Sequence, residues 1–166
     1  ATSTDNLCER TGVSRSSLYN TFKSKRDLYE QALRRYCERS RTEFAALADQ
    51  PGPVRAVLRD FLLDAADGQL ADPQRRGCLA LSAAVEIGMD DPGVADLARR
   101  DFDHLVESFR VLIERGQRDG EISPDRDALA LARLVHASLV AIHALGRVAD
   151  ERKRVTDIID ALLESF

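Results

Sequence analysis

The chain has 166 residues, of which 44% are hydrophobic and 31% charged, with a net charge of −4. That length supports a sizeable core, as one helical body or as a small head on a larger domain, and the acidic balance excludes a histone-like coat of positive charge. Cys8, Cys37 and Cys78 are too far apart for a zinc site or a disulfide framework, and no signal peptide or unbroken apolar run of about 18 residues stands out, so a cytoplasmic protein without a membrane partner is expected.

Helical signals follow one another along the chain. Ser3 or Thr4 caps a helix to about Arg10, Gly12 makes a turn, and Ser14 caps a second helix to about Thr21. Ser24 precedes Lys25 and caps a longer helix, with Leu28, Leu33, Tyr36, Cys37, Phe44 and Leu47 on its apolar face, ending near Asp49 to Pro53. Pro53 suits a first helical position and opens a helix carrying Val54, Val57, Leu58, Phe61, Leu62 and Ala65. The polar stretch from Asp67 to Arg76 reads as a loop. Gly77 to Gly88 reads as a short buried helix, and Asp90 to Gly93 as a turn. A long helix then carries Val94 through Ile113, and Gly116 to Ser123 closes it. Pro124 opens an Ala- and Leu-rich helix to about Gly146. The last helix runs from about Asp150 to the end, with Val155, Ile158, Ile159, Leu162, Leu163 and Phe166 facing inward. Strand-like alternation is absent, so the fold class is all-α.

Charge is unevenly spread. Between Arg10 and Arg41 stand nine basic and three acidic residues, a local +6, which leaves −10 for the remainder. A basic head on an acidic body suits DNA contact at one end, although a solvated helix face gives the same count. Within that stretch, Leu7 to Leu28 packs two short helices, a tight turn and the start of a third into 22 residues, the layout of a helix-turn-helix reader. Val13, Leu18 and Phe22 give the second helix an apolar underside. Its other face carries Arg15, Ser16, Tyr19 and Asn20. Arg15 suits a guanine edge and Asn20 an adenine edge; Ser14, Ser17, Tyr19, Lys23 and Lys25 suit phosphates, which fix position rather than sequence.

The segment TSTDNLCERTGVSRSSLYNTFKSKRDLYEQAL resembles the DNA-binding head of the TetR family of transcriptional regulators. GVSRSSLYNTF followed by KSKRDL matches that family's recognition helix and the start of its next helix, across roughly the first 33 residues. The resemblance implies phosphate contacts by Tyr19, Lys25 and Thr2 or Ser3, a turn at Gly12, and a recognition surface from Ser14 to Asn20. Asn20 and Thr21 depart from the aromatic-then-histidine pair common before the position of Phe22, so base preference does not carry over. The family has a further helix before this segment, which implies a native protein about 20–30 residues longer.

The same resemblance implies two units, a head over residues 1–46 and a helical ligand-binding and dimerisation domain over 47–166. Arg75 to Val94 has the look of one subgroup's central region. A dimer pairing through the last two helices is implied. The candidates are Ala130, Ala137, Ala141 and Ala144 on one helix, and Val155, Ile158, Ile159, Leu162 and Phe166 on the other; both stripes equally fit the core of a monomer. A sensor needs a mostly apolar cavity, and Phe61, Leu62, Cys78, Ser82, Glu86, Met89, Phe109 and His136 are the candidate walls. His136 and His143 share a helical face about 10.5 Å apart, too far for a shared metal, so no metal or cofactor is expected. No phosphate-binding glycine loop, dinucleotide fingerprint or zinc-protease motif is present, and an enzyme is not expected. The expected function is a DNA-binding regulator, a repressor released from a double-stranded operator by a small-molecule effector. The alternative is a DNA binder that senses nothing or responds to oxidation at Cys78.

Overall fold

The computed structural model describes residues 3–148 and 152–166. Its helices are α1 (Thr4–Thr11), α2 (Arg15–Thr21), α3 (Lys25–Ala45), α4 (Val54–Ala71), α5 (Leu79–Glu86), α6 (Pro92–Arg118), α7 (Ala128–Leu145) and α8 (Arg152–Glu164), with no strand among the described residues. Most helix starts are set by a short side chain that accepts the otherwise unpaired first amides. Ser3 takes Asn6 N–H, Ser14 takes Ser17 N–H and Ser24 takes Asp27 N–H. Asp91 and Asp127 each take two amides, at the starts of α6 and α7.

Two apolar clusters form the interior. The larger joins α4, α6, α7 and α8 around Leu58, Leu62, Phe109, Leu112, Val135, Ile142 and Ile159. The smaller joins α3, α5 and α6 around Leu33, Cys37, Ala80, Ala83 and Val94. α6 belongs to both and is the axis of the body. The head is thinly packed by contrast. α1 has no buried residue, and Leu18 is the one buried in α2. Val13, expected beneath the second helix, is exposed because it lies in the turn between α1 and α2.

Four sequence expectations are corrected. The polar run after Asp67 continues α4 to Ala71. It stays helical because its polar groups have tertiary partners. Asp67 pairs with Arg152 at 2.8 Å, and Gln69, buried, donates from Nε2 to the His143 carbonyl at 2.8 Å. α6 passes through Gly116 instead of ending there. A Cβ at that position would lie 2.9 Å from Ile122 Cδ1 and 3.2 Å from Val54 Cβ, so glycine serves a close approach inside the helix, and Gly120, at φ +79°, makes the turn that follows. Pro124 lies in a turn ahead of α7, whose first amides are taken by Asp127. Finally, Ala128–Leu145 reaches a mean hydropathy of 1.7 over 18 residues, long and apolar enough to cross a membrane by length and composition. Arg133, His136 and His143 break up that run in the sequence. One side of α7, through Leu131, Ala132, Val135, Leu139 and Ile142, fills the core. The expected start of the last helix near Asp150 lies outside the described residues.

Candidate DNA-reading head and interior cavity

The turn between α1 and α2 depends on Gly12, whose φ of +70° is left-handed and whose N–H donates to the Cys8 carbonyl. Side chains other than glycine pay about 1–2 kcal/mol in that region. No atom lies within 4 Å of a Cβ built there, so the cost of Gly12→Ala is purely conformational. The variant is expected to lose about 1–2 kcal/mol of head stability, read as faster hydrogen exchange in α1 and α2 with the body's exchange unchanged.

α2 turns Leu18 inward and leaves Arg15, Ser16, Tyr19 and Asn20 exposed on a shared side. Arg15 meets only the exposed Asp5, at 3.6 Å, an ion pair weak enough to give way. Ser14 and Ser17 are occupied with each other: Ser14 Oγ accepts Ser17 N–H at 3.1 Å and donates to Ser17 Oγ at 2.9 Å. Ser3 is similarly held in a reciprocal cap with Asn6. These three serines therefore shape the helix starts; Ser16 Oγ joins them, 3.0 Å from Ser14 Oγ, and Arg15, Tyr19 and Asn20 remain open for bases and phosphates. Lys23 and Lys25 flank the exposed start of α3, where free amides favour an anion. Thr2 lies outside the described residues.

α3 connects this head to the body. Arg26, one residue after Lys25, reaches Glu30 at 3.0 Å and Asp91 at 2.7 Å. Asp91 is buried and its Oδ1 simultaneously caps α6 through Gly93 and Val94 N–H. One carboxylate thus joins the first turn of α3 to the first turn of α6. Tyr29 and Tyr36 extend the contact against the α5–α6 cluster.

Farther along α3 lies a partly open cavity of about 380 Å³ lined by α3, α4, α5, α6 and α7. Its walls include the aromatic rings of Tyr36, Phe44, Phe61, Phe102 and His136, beside aliphatic Leu81, Leu105 and Leu139. Phe61 meets Phe44 and Phe109 edge-on at 6.0 and 5.5 Å, and Phe102 tilts against His136 at 5.1 Å. Of the sequence candidates, Phe61, Cys78 and His136 line this space. Leu62 and Phe109 do not; both are fully buried core residues behind it. Ser82 accepts from Arg147, and Glu86 lies in a separate groove beside Arg26 and Tyr29. Met89, 93% exposed, lies past the end of α5. The apolar character of Gly77 to Gly88 hides these differences, because α5 buries Ala80 and Ala83 and exposes its far end. Sequence reasoning missed Asp101 and His143 in the cavity lining; a buried aspartate inside an otherwise charged run leaves no sequence signal.

Burial disfavours the charged forms of both histidines and holds their pKa values below the ordinary range. Burial also pushes the Cys37 thiol up to about 12, reinforced by the neighbouring Asp101 charge. Cys37 is therefore expected to resist iodoacetamide at pH 8 in the folded protein and to react only on unfolding, as read by peptide mass after timed labelling. Cys78 differs: it is half-buried, lines the cavity and accepts Leu81 N–H at the start of α5.

The dimer candidates separate cleanly. Ala130, Ala137 and Ala144 are exposed and Ala141 half-buried. On α8, Val155, Ile159 and Leu162 are buried in the core of the single chain and Phe166 packs against it, so that stripe is not free for a partner; Ile158 is half-buried. The physical reason is that α8 closes the open side of α4 and α7 and needs its apolar stripe there.

Residues 1–32 match the family model described as bacterial regulatory proteins, tetR family, and residues 54–162 match the tetracyclin repressor-like C-terminal domain. The uncharacterized HTH-type transcriptional regulator YezE of Bacillus subtilis is 30% identical over 98% of this chain and 84% of its own length. A TetR family transcriptional regulator from Agrobacterium tumefaciens superimposes with a TM-score of 0.86 at 22% identity, covering 99% of this chain and 86% of that one. A double cysteine mutant of CifR, complexed with 26-base-pair operator DNA, gives 0.84 at 24% identity with the same coverage. Helix-turn-helix head and helical body are joined by α3 in one matching chain, and it belongs to the TetR family of DNA-binding transcriptional regulators.

Proposed function

We propose that the protein is a cytoplasmic homodimeric repressor that leaves its operator when a small molecule fills the α3–α7 cavity. The carrying observation is that α3 begins beside the recognition helix and, farther along, supplies Tyr36, Ser40 and Phe44 to the cavity wall. A ligand that shifts this wall shifts the helix bearing the head. The head would span residues 1–46 and the ligand-binding and dimerisation domain 47–166, with α3 shared. The coupling is reciprocal and typically about 1–3 kcal/mol. Arg15, Tyr19 and Asn20 would read bases and phosphates, with Lys23 and Lys25 holding the backbone.

Selection from random duplex DNA tests this. The reading expects a two-fold symmetric site with half-site centres about 34–36 Å apart, and lower transcript yield from a promoter overlapping that site. Enrichment of no site, or of an unsymmetrical one, counts against it. A second reading, release by oxidation of Cys78, is favoured by the position of Sγ on the cavity wall. Cys78→Ser separates the two: it blocks release by peroxide and spares release by a reversible ligand. A DNA binder without a sensor is disfavoured by the cavity itself.

A further inference from the structure

One buried acidic side chain on the cavity wall lacks a full set of partners. Asp101 on α6 is only 3% exposed, and its Oδ1 has no hydrogen-bond partner. Burial raises its pKa above the ordinary carboxylate value, opposed by a hydrogen bond from the Cys37 thiol and by the charges of Arg41 and His104 through space. A buried carboxylate with an unpartnered oxygen is costly unless a donor meets it.

His143 on α7 adds a second acceptor. Gln69 Nε2 donates to the His143 backbone carbonyl, which can only accept, so the amide oxygen is the atom 2.7 Å from His143 Nδ1. That oxygen requires Nδ1 to carry the proton. The neutral ring is thereby locked with Nε2 as a bare acceptor, and the ring lines the same cavity as Asp101. At the rim, Arg39 is taken up by Glu43 at 2.8 Å, and Asp64 adds a further acidic group. The apolar remainder mixes aliphatic side chains with the rings of Tyr36, Phe44, Phe61 and Phe102, and aromatic faces attract cations.

We propose that the effector is a small lipophilic amine, whose ammonium group donates to Asp101 while its apolar body lies among Phe44, Phe61 and Phe102. This deepens the proposed function and rests on the cavity being the effector site. The volume, at the lower end of the roughly 300–1,000 Å³ usual for ligand pockets, suits a molecule of one or two rings. Asp101 is the specificity-determining residue, because it distinguishes an ammonium from a neutral or anionic analogue of the same shape.

The test uses three naphthalene probes of similar size: naphthylethylamine, naphthylethanol and naphthylacetate. The chain has no tryptophan, so naphthalene fluorescence reports binding directly. The full chain is expected to bind the amine about tenfold or more tighter than the alcohol, and the acid weakest. Asp101→Asn, nearly the same shape, is expected to remove the preference for the amine and keep alcohol binding, which also shows that the variant is folded. Should Asp101→Asn fail to fold, the ranking of the three probes on the unaltered chain decides. Binding of the alcohol or the acid as tight as that of the amine overturns the ligand class and leaves the cavity as an effector site. Binding of none of the three overturns the cavity reading and the amine with it.

Discussion

Replacing Arg15 and Tyr19 together by alanine is expected to weaken specific operator binding by about 100-fold or more, with thermal unfolding unchanged. A bidentate arginine–base contact contributes about 1–3 kcal/mol of discrimination, and each 1.4 kcal/mol is about tenfold in affinity. In the proposed reading Tyr19 would add a phosphate contact. Both side chains are exposed on α2, and the Arg15–Asp5 pair is too exposed and too long at 3.6 Å to matter to the fold. Fluorescence anisotropy on the selected site, set against random duplex, separates the two contributions. Loss of the Arg15 contact narrows the gap between specific and non-specific affinity. Lys23→Ala supplies the contrast: it should weaken both alike and reduce the salt slope by about 1. Retained affinity in the double variant would mean that α2 is not the reading helix.

The head was the legible part of this chain. Ser3, Gly12, Ser14 and Ser24 carry local signals, since each cap or turn is decided within three or four residues, and all four act as read. Helix ends set by distant partners were not legible. α4 runs past Asp67 because Arg152 and His143 lie against it, and Gly116 stands inside α6 where Ile122 and Val54 leave no room for a Cβ. The cavity was legible only where size and apolarity mark it, at Phe61, Cys78 and His136. Phe109 and Leu62 have the same apolar character and lie one layer deeper. Periodicity shows that a residue faces inward and does not show whether the space in front of it is filled. Asp101 and His143 gain their character from orphaning and from a forced tautomer, neither of which exists before the helices pack.

Glutamates at Ala137 and Ala144 are expected to convert a dimer to a monomer and to weaken operator binding by about 100- to 10,000-fold. α7 is long and strongly apolar by composition, yet its stripe of Ala130, Ala137 and Ala144 is exposed, and Leu134 beside it is 43% exposed. Small side chains in such a row let a partner helix approach closely, and a second copy of the same face would bury it around a two-fold axis. Positions 137 and 144 lie two turns apart on one side of α7, so two glutamates would place four like charges in the paired interface. The fold of the single chain should survive, because the opposite side of α7 holds the core and neither alanine contributes to it. A monomer grips one half-site only, and losing the second removes an avidity of about 10²–10⁴. Sedimentation and anisotropy on the same samples read both effects. The equivalent substitution on α8 would mislead, since Val155, Ile159 and Leu162 are core residues and a charge there unfolds the chain. A variant that sediments as a dimer, or that binds its operator unimpaired as a monomer, would show that the two heads are not held together through α7.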